Sequence, residues 1–367
     1  MPANGTRRRG LQRFGLSLGL LVPALVILGP PSQATDLKVA EVVASGLMSP
    51  WGLAFLPDGS ALVSERDTGR VLRIDPAKPA GQNVITLGKV PGSIADGEGG
   101  LLGIAIPPTS TGTPPFIYAY TTTQRDNRVL RINLNKDATR LGATRPLLTG
   151  IPKNSYHNGG RLLVANDGTL FVATGDAGDM PSAQNSRSLA GKILHINPDG
   201  SPATGNPNPK SPIYSLGHRN VQGLAFDAAG NLWASEFGFK DADELNLIVA
   251  GGNYGWPQVE GIGKDSRFRD PEVTWSPTSL ASPSGIAIDN GYAYVASLRG
   301  EVLWQVPLNS GTPPSAGRPK AVQLGKLGRL RTVSVAPDGS LWLMTSNTDG
   351  RGDPRRTDDL LLRLTRR

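Results

Sequence analysis

Residues 51–75 read WGLAFLPDGSALVSERDTGRVLRID and show the pattern from which the fold is predicted. An apolar segment beginning at Trp51 runs into an Asp58-Gly59 turn, after which a second apolar segment follows. A polar loop then leads to a third segment, Val71–Ile74. Because Asp-Gly between two apolar segments is typical of a tight β-hairpin, the stretch is predicted to form consecutive antiparallel strands.

The same pattern occurs five more times along the chain. Its openings lie about 45 to 60 residues apart, which is close to the period of propeller blades and longer than that of a solenoid coil. The later openings are GLLGIAI at Gly100, GRLLVANDG at Gly160, QGLAFDAAG at Gln222, SGIAIDNG at Ser284 and RTVSVAPDG at Arg331. We therefore predict an all-β fold, a six-bladed β-propeller of four-stranded antiparallel blades that occupies residues 35–367 as a single domain. The Pro-rich segments 107–115 and 201–212 are predicted to be inserted loops.

The composition agrees with many short strands joined by tight turns, since the 367 residues include 46 glycines and 31 prolines. The absence of cysteine excludes disulfides, thiolate metal sites and a lipid-modified cysteine. The formal charge is +8, but four of the 38 basic residues precede Thr35, and the remaining 34 exceed the 30 acidic residues by only four. That excess is too small to indicate nucleic-acid binding.

The first 34 residues have the order of an export signal. Arginines within segment 1–13 precede an apolar run, 14–29, and small residues lead up to Ala34. The run contains Pro23 and is shorter than the roughly 20 apolar residues of a spanning helix, so a permanent membrane anchor is not expected. We expect cleavage after Ala34 by the Sec or the twin-arginine route, and a secreted or periplasmic protein that begins near Thr35.

Only three histidines are present, and their contexts differ. His195 occupies the strand position that Arg73 and Arg131 hold in other blades, so it is interpreted as a polar strand residue. His157 instead lies in a glycine-bearing loop before a strand, where an imidazole could transfer protons at the mouth of the channel. Taken alone, such a loop histidine is more often a solvated surface residue.

His218 stands beside a polar cluster in GHRNVQG, residues 217–223. Arg219 offers a planar fork of donors, and the amides of Asn220 and Gln222 can pair with carbonyl groups. The cluster suits a planar, anionic, oxygen-rich ligand. A turn network that ties two blades together is the alternative interpretation.

Several motifs together resemble one enzyme family. They are HNGGRL at 157–162, GHRNVQG at 217–223, DELN at 243–246, GGNYGWP at 251–257, EGGLLG at 98–103 and RLR at 329–331. In this order they resemble the soluble aldose sugar dehydrogenases of the glucose/sorbosone dehydrogenase family, which use pyrroloquinoline quinone (PQQ) and calcium. The similarity extends from about Pro50 to Leu364.

The resemblance implies roles for individual residues. His157 matches the base that takes the proton of the anomeric hydroxyl, and Asp176 matches the carboxylate that orients it. Arg219 and Asn220 match residues that contact the quinone, and Arg219 is also placed to stabilise negative charge developing on it. Gln222 matches a further polar residue of the site.

The resemblance also implies how the cofactor is held. PQQ carries three carboxylates, and Arg329 and Arg331 match the pair of arginines that binds them. Glu98 falls in the upstream EGGLLG motif and is expected at the same site. Arg299 stands where the family commonly has lysine, which retains the charge but not the geometry.

Calcium in this family is bound by two consecutive backbone carbonyls, which match Gly238 and Phe239. The family usually has Gly-Pro there, so Phe239 is a departure, and Lys240 adds a cation beside the expected metal. Glu244 and the carbonyl of Tyr254 match a second, structural calcium site, for which an ordinary acidic loop is the alternative.

These features predict an exported oxidoreductase that oxidises aldose sugars at the anomeric carbon to lactones and passes electrons to an unidentified acceptor. Tyr156 replaces the Asp of the best-known glucose-oxidising members, so the sugar is left open. Two alternatives remain at this stage. One is a calcium-dependent lactonase-like propeller, and the other is a secreted binding propeller that has lost PQQ.

Overall fold

The computed structural model describes residues 1–3, 5, 36–108 and 112–366. The predicted export signal therefore lies outside the described residues except for residues 1–3 and 5, and the predicted loop 107–115 is described only in part. The described residues from 36 to 366 belong to one compact unit. Within the described residues no helix is long and apolar enough to cross a membrane.

The predicted all-β propeller is confirmed, since the strands form six antiparallel sheets around a central channel. Strand β1 (Leu37–Ala44) opens the described fold. The first blade contains β2 (Pro50–Phe55), β3 (Ala61–Glu65), β4 (Arg70–Ile74) and β5 (Val84–Lys89). The second contains β6 (Leu101–Ala105), β7 (Phe116–Thr122), β8 (Asn127–Leu134) and β9 (Leu141–Ile151). The third contains β10 (Leu162–Val164), β11 (Leu170–Ala173), β12 (Lys192–Ile196) and β13 (Ile213–Leu216).

The other three blades follow the same order from the channel outwards. The fourth blade contains β14 (Val221–Phe226), β15 (Leu232–Glu236), β16 (Asp243–Ile248) and β17 (Val273–Trp275). The fifth contains β18 (Pro283–Asp289), β19 (Tyr292–Ser297), β20 (Leu303–Asn309), β21 (Ser315–Ala316) and β22 (Lys320–Val322). The sixth contains β23 (Leu330–Val335), β24 (Leu341–Thr345) and β25 (Leu361–Arg366). Two short 3₁₀ helices, Met180–Gln184 and Thr278–Leu280, lie in connections.

Two details of the blades differ from a uniform four-strand repeat. The sixth blade takes its outer strand from the start of the fold, because β1 pairs with β25 from Leu37 opposite Arg366 to Ala44 opposite Leu361. In the fifth blade two short strands, β21 and β22, both pair with β20, so its outer edge is split. The pairing of β1 with β25 closes the ring of blades.

The core lies between neighbouring blades, where both faces of the second strands are buried. All five residues of β3 and all five of β15 are buried, and Trp233 and Tyr118 are fully enclosed. Burying a large apolar side chain stabilises a fold by about 1.5–3 kcal/mol, so this packing fixes the positions of the loops at the channel ends.

The channel is rich in charged side chains at one end, the polar end, and is lined mainly by aliphatic side chains at the other, the aliphatic end, where Arg161, Thr332 and Ser334 also lie. One side chain from each innermost strand lines the aliphatic end, namely Leu53, Ile104, Leu163, Leu224, Ile286 and Val333. Two residues earlier in their strands, Trp51, Gln222 and Arg331 line the opposite end.

Candidate active site

A cavity of about 460 Å³ lies at the polar end of the channel, a volume within the range of small-molecule sites. Every blade contributes a loop or strand end to it. Nine of the thirteen predicted site residues line this one cavity: Glu98, His157, Arg219, Gln222, Gly238, Phe239, Arg299, Arg329 and Arg331. Of the others, Asp176 and Asn220 are buried in contact with lining residues, while Glu244 and Tyr254 line a separate, much smaller cavity.

The loop that carries His157 has an unusual backbone. His157 has a φ of 57°, in the left-handed region that non-glycine residues seldom adopt. Its N–H donates to Glu98 Oε2 at 2.9 Å, and its carbonyl packs so close to Gly175 that a Cβ there would lie 2.0 Å away. Gly175 and Glu98 together hold the imidazole at the cavity, and no pattern in the sequence indicated that Glu98 acts on this backbone.

His157 and Asp176 form the pair that the sequence predicted. The Nδ1 atom of His157 lies 2.7 Å from Asp176 Oδ1. The carboxylate of Asp176 is fully buried, and it also accepts hydrogen bonds from the Gly178 N–H at 2.8 Å and from Trp256 Nε1 at 2.9 Å. Because two donors already converge on this carboxylate, the hydrogen-bond network assigns the proton to Nδ1 of His157. Nε2 is then free to accept a proton.

The other two histidines are held away from the cavity. His218 is fully buried between Ser215 Oγ and Glu236 Oε2, each at 2.8 Å, and stacks on Tyr254. His195 contacts Thr169 Oγ1 at 2.8 Å and stacks on a phenylalanine ring. Among the three histidines, only His157 lines the cavity.

Positive charge dominates the cavity. Its lining contains six arginines, at positions 66, 219, 299, 329, 331 and 351, and three carboxylates, at positions 98, 243 and 349. Burial lowers the pKa of Arg331 to about 10. Asp349 Oδ2 lies 3.0 Å from Arg329 and 3.5 Å from Arg331, so one carboxylate serves two guanidinium groups. An anionic ligand would relieve the excess of buried positive charge.

Several buried donors at the site have no hydrogen-bond partner among the described residues. They are Nε of Arg219, Nε of Arg331 and Nδ2 of Asn220. Leaving a buried polar group unpaired costs about 1–3 kcal/mol, so an unpaired set beside one cavity indicates a ligand rich in acceptors. Burial also lowers the pKa of Arg219.

Two carbonyls could supply ligands for a hard cation. Gly238 and Phe239 line the cavity, and within the part of the chain that the structure describes no donor reaches either carbonyl oxygen. Calcium prefers such oxygen ligands. The nearby Asp243 accepts the Gly238 N–H at 2.9 Å, and burial raises the pKa of this carboxyl to about 6.

Glu244 and Tyr254 adjoin a second group of acids. Burial, and next the repulsion from Glu236, raises the pKa of Glu244 to about 8. Its oxygens accept hydrogen bonds from Asn246 Nδ2 at 3.0 Å and the Gly261 N–H at 2.7 Å. No group of three or more metal-binding side chains is found in the described ranges. The second calcium site is therefore still a prediction.

Sequence reasoning missed several residues of the cavity, including Arg66, Asp349 and Arg351. Arg66 could have been found, because it directly follows the second strand of its blade, as do the lining residues Phe237 and Leu298 in theirs. Asp349 and Arg351 lie on an irregular loop that no repeat position identifies.

Comparison with known proteins gives one consistent result. The sequence profile described as glucose/sorbosone dehydrogenase matches residues 47–363. The PQQ-bound structure of an aldose sugar dehydrogenase from Streptomyces coelicolor superposes with a TM-score of 0.86 at 49% sequence identity, over 92% of this chain and 100% of that chain. The quinoprotein glucose dehydrogenase B of Acinetobacter calcoaceticus is 35% identical over 65% of this chain and 57% of its own length. The aldose sugar dehydrogenase YliI of Escherichia coli is 27% identical over 90% of this chain and 96% of its own.

Proposed function

This chain belongs to the glucose/sorbosone dehydrogenase family, and from that premise we propose that it binds PQQ in the central cavity and oxidises aldose sugars at the anomeric carbon to lactones. The observation that carries the proposal is the match between the cavity and this cofactor. Six arginines line one space of about 460 Å³, and unpaired buried donors of Arg219, Arg331 and the adjoining Asn220 lie at it, a set that suits a planar tricarboxylate.

The residues that would hold PQQ are those that face or adjoin this space. Arg329, Arg331 and Arg299 would bind carboxylates, and Arg219 and Asn220 would donate to the quinone through groups that are now unpaired. Bound PQQ supplies an electrophilic carbonyl that accepts the hydride from the sugar. Arg219 is then placed to stabilise the negative charge that develops.

His157 would act as the general base. Its Nε2 takes the proton of the anomeric hydroxyl while the hydride leaves the anomeric carbon, which leaves a lactone as the product. Asp176 fixes the imidazole in the tautomer that leaves Nε2 unprotonated, and it stabilises the imidazolium after proton transfer. The Trp256 N–H and the Gly178 N–H hold Asp176 in place.

Calcium is proposed as a second ligand of the cavity. The unpaired carbonyls of Gly238 and Phe239 would bind it, and the ion supplies Lewis acidity toward the quinone. The Phe239 departure does not remove this ligand, because a backbone carbonyl is present whatever the side chain. Glu244 and Tyr254 are proposed to hold a second, structural ion.

We also propose that the enzyme works outside the cytoplasm, with residues 1–34 as its export signal, and that it passes electrons to an acceptor that neither sequence nor structure identifies. Mass spectrometry of the exported protein is expected to find an N-terminus near Thr35. An intact Met1 in a membrane fraction would contradict this part of the proposal.

The proposal is tested by steady-state oxidation of a panel of aldoses by PQQ-reconstituted protein. Wild type and His195→Ala are expected to turn over, whereas His157→Ala is expected to lose about 10²–10⁴-fold in kcat with PQQ still bound. Hydrolysis of sugar lactones without PQQ would instead support the lactonase-like alternative. Sugar binding without PQQ binding would support the binding propeller.

A further inference from the structure

Glu260, which was not among the predicted residues but lines the small cavity with Glu244 and Tyr254, organises the loop that carries the two candidate calcium-binding carbonyls. Glu260 lies on the long connection between β16 and β17, and its Oε1 accepts hydrogen bonds from four consecutive backbone amides. The distances are 2.5 Å from Phe239, 2.9 Å from Lys240, 3.1 Å from Asp241 and 3.2 Å from Ala242. Successive amides around one anion form a nest, which fixes the conformation of a loop.

The direction of the carbonyls follows from these hydrogen bonds. In a planar trans peptide each carbonyl points opposite to the N–H of the next residue. Since the N–H groups of Phe239 and Lys240 converge on Glu260, the carbonyls of Gly238 and Phe239 point away from that carboxylate. Both residues line the cofactor cavity, and neither oxygen has a donor in the described part of the chain.

The close packing of Gly238 shows that the loop has little freedom. A Cβ at this position would lie 1.8 Å from the carbonyl oxygen of Ala242 and 2.7 Å from Glu260 Oε1. The Gly238 N–H is held from the other side by Asp243 Oδ1 at 2.9 Å. The loop is therefore folded tightly around Glu260, and removing that carboxylate would release four amides together.

We propose that Glu260 is a positioning residue for calcium at the cofactor cavity: it fixes loop 238–242 in the conformation that presents two carbonyls to the ion. This inference rests on the proposed function. Groups that orient metal ligands commonly affect metal affinity by about 10- to 100-fold. Because residue 239 is phenylalanine and not proline, it has a backbone N–H, and this N–H donates to Glu260.

The test compares Glu260→Ala and Glu260→Gln with wild type in the full-length protein. The calcium concentration that half-restores the absorbance of bound PQQ is measured in calcium buffers, and amide hydrogen exchange of residues 239–242 is measured without cofactor or metal. Asp270→Ala is the matched control, because Asp270 accepts amide hydrogen bonds from Gly263 and Lys264 on the same connection but does not contact loop 238–242.

Glu260→Ala is expected to raise the half-restoring calcium concentration at least about tenfold and to speed exchange of the four amides, with a smaller effect in Glu260→Gln because its amide oxygen still accepts. Asp270→Ala is expected to leave both quantities unchanged. An unchanged calcium requirement in Glu260→Ala would overturn the inference. If that variant does not fold, rapid exchange of the four amides in the wild type would overturn it equally. PQQ binding by the wild type that needs no calcium would instead contradict the calcium part of the proposed function.

Discussion

Replacing Asp176 by asparagine tests the arrangement around the base. In the wild type both carboxylate oxygens accept: Oδ1 from His157 Nδ1 and the Gly178 N–H, and Oδ2 from Trp256 Nε1. An asparagine has one oxygen and one NH₂ group, so it must present a donor either to Trp256 or to His157. In the second orientation Nδ1 of His157 becomes an acceptor and Nε2 carries the proton, which abolishes the base.

The magnitude follows from the interactions lost. A charge-assisted hydrogen bond contributes about 1.5–3 kcal/mol, and a buried donor left without an acceptor costs about 1–3 kcal/mol. Since about 1.36 kcal/mol corresponds to a tenfold change in rate, the sum predicts a loss of roughly 10²- to 10⁴-fold in kcat. PQQ affinity should change little, because Asp176 does not line the cavity.

The assay is steady-state oxidation of an aldose at saturating PQQ and calcium, with cofactor occupancy measured by absorbance. Asp179→Asn is the matched control, since Asp179 lies on the same loop, is exposed, and has a side chain whose one hydrogen bond in the described chain comes from Ser182 Oγ. This control is expected to retain wild-type turnover. If Asp176→Asn keeps full cofactor occupancy and a rate within about threefold of wild type, the assigned role of Asp176 is refuted.

Three further predictions concern neighbouring groups. Trp256→Phe removes one of the donors that hold Asp176 in place, so kcat should fall about tenfold with PQQ still bound; an unchanged kcat would contradict this. Arg331→Ala should weaken PQQ binding at least about tenfold in a titration, because the variant lacks the guanidinium that would pair with a carboxylate of the cofactor. Thermal unfolding should change little. Equal affinity would show that Arg331 does not hold the cofactor. Because burial raises the pKa of Glu244 to about 8 from its ordinary 4.5, the metal-free protein should lose stability as pH rises through that window. Glu244→Gln should raise the Tm of the metal-free protein by about 2–4 °C near pH 8 and make its Tm depend less on pH. A lower Tm in the variant at that pH would contradict the raised pKa of Glu244.

Much of the fold could be predicted from the sequence because each blade is a local unit. Hairpin turns such as Asp58-Gly59 and the six similar openings depend on neighbouring residues, so they are visible without the structure. The pairing of β1 with β25 was not predictable in the same way, since it joins segments more than 300 residues apart. The sequence of Lys320–Val322 contains no pattern that predicts the split outer edge of the fifth blade.

The site residues also differ in whether local sequence identifies them. His157, Asp176 and the arginine pair stand in recognisable motifs, and the structure brings His157 and Asp176 into contact. Trp256 was part of a quoted motif, but its hydrogen bond to Asp176 depends on how two blades meet. Glu260 lies in no motif, because its effect depends on the three-dimensional course of a long loop.

We propose that this chain oxidises aldoses with PQQ held in its central cavity. The most direct measurement loads the purified protein with PQQ and calcium, adds an aldose without any electron acceptor, and follows cofactor absorbance and lactone formation together. We expect reduction of the bound cofactor with one lactone formed per PQQ, and a reduction slower by about 10²–10⁴-fold in His157→Ala, which should retain PQQ. Bound PQQ that no aldose reduces, or aldose oxidation at the same rate without PQQ, would contradict it.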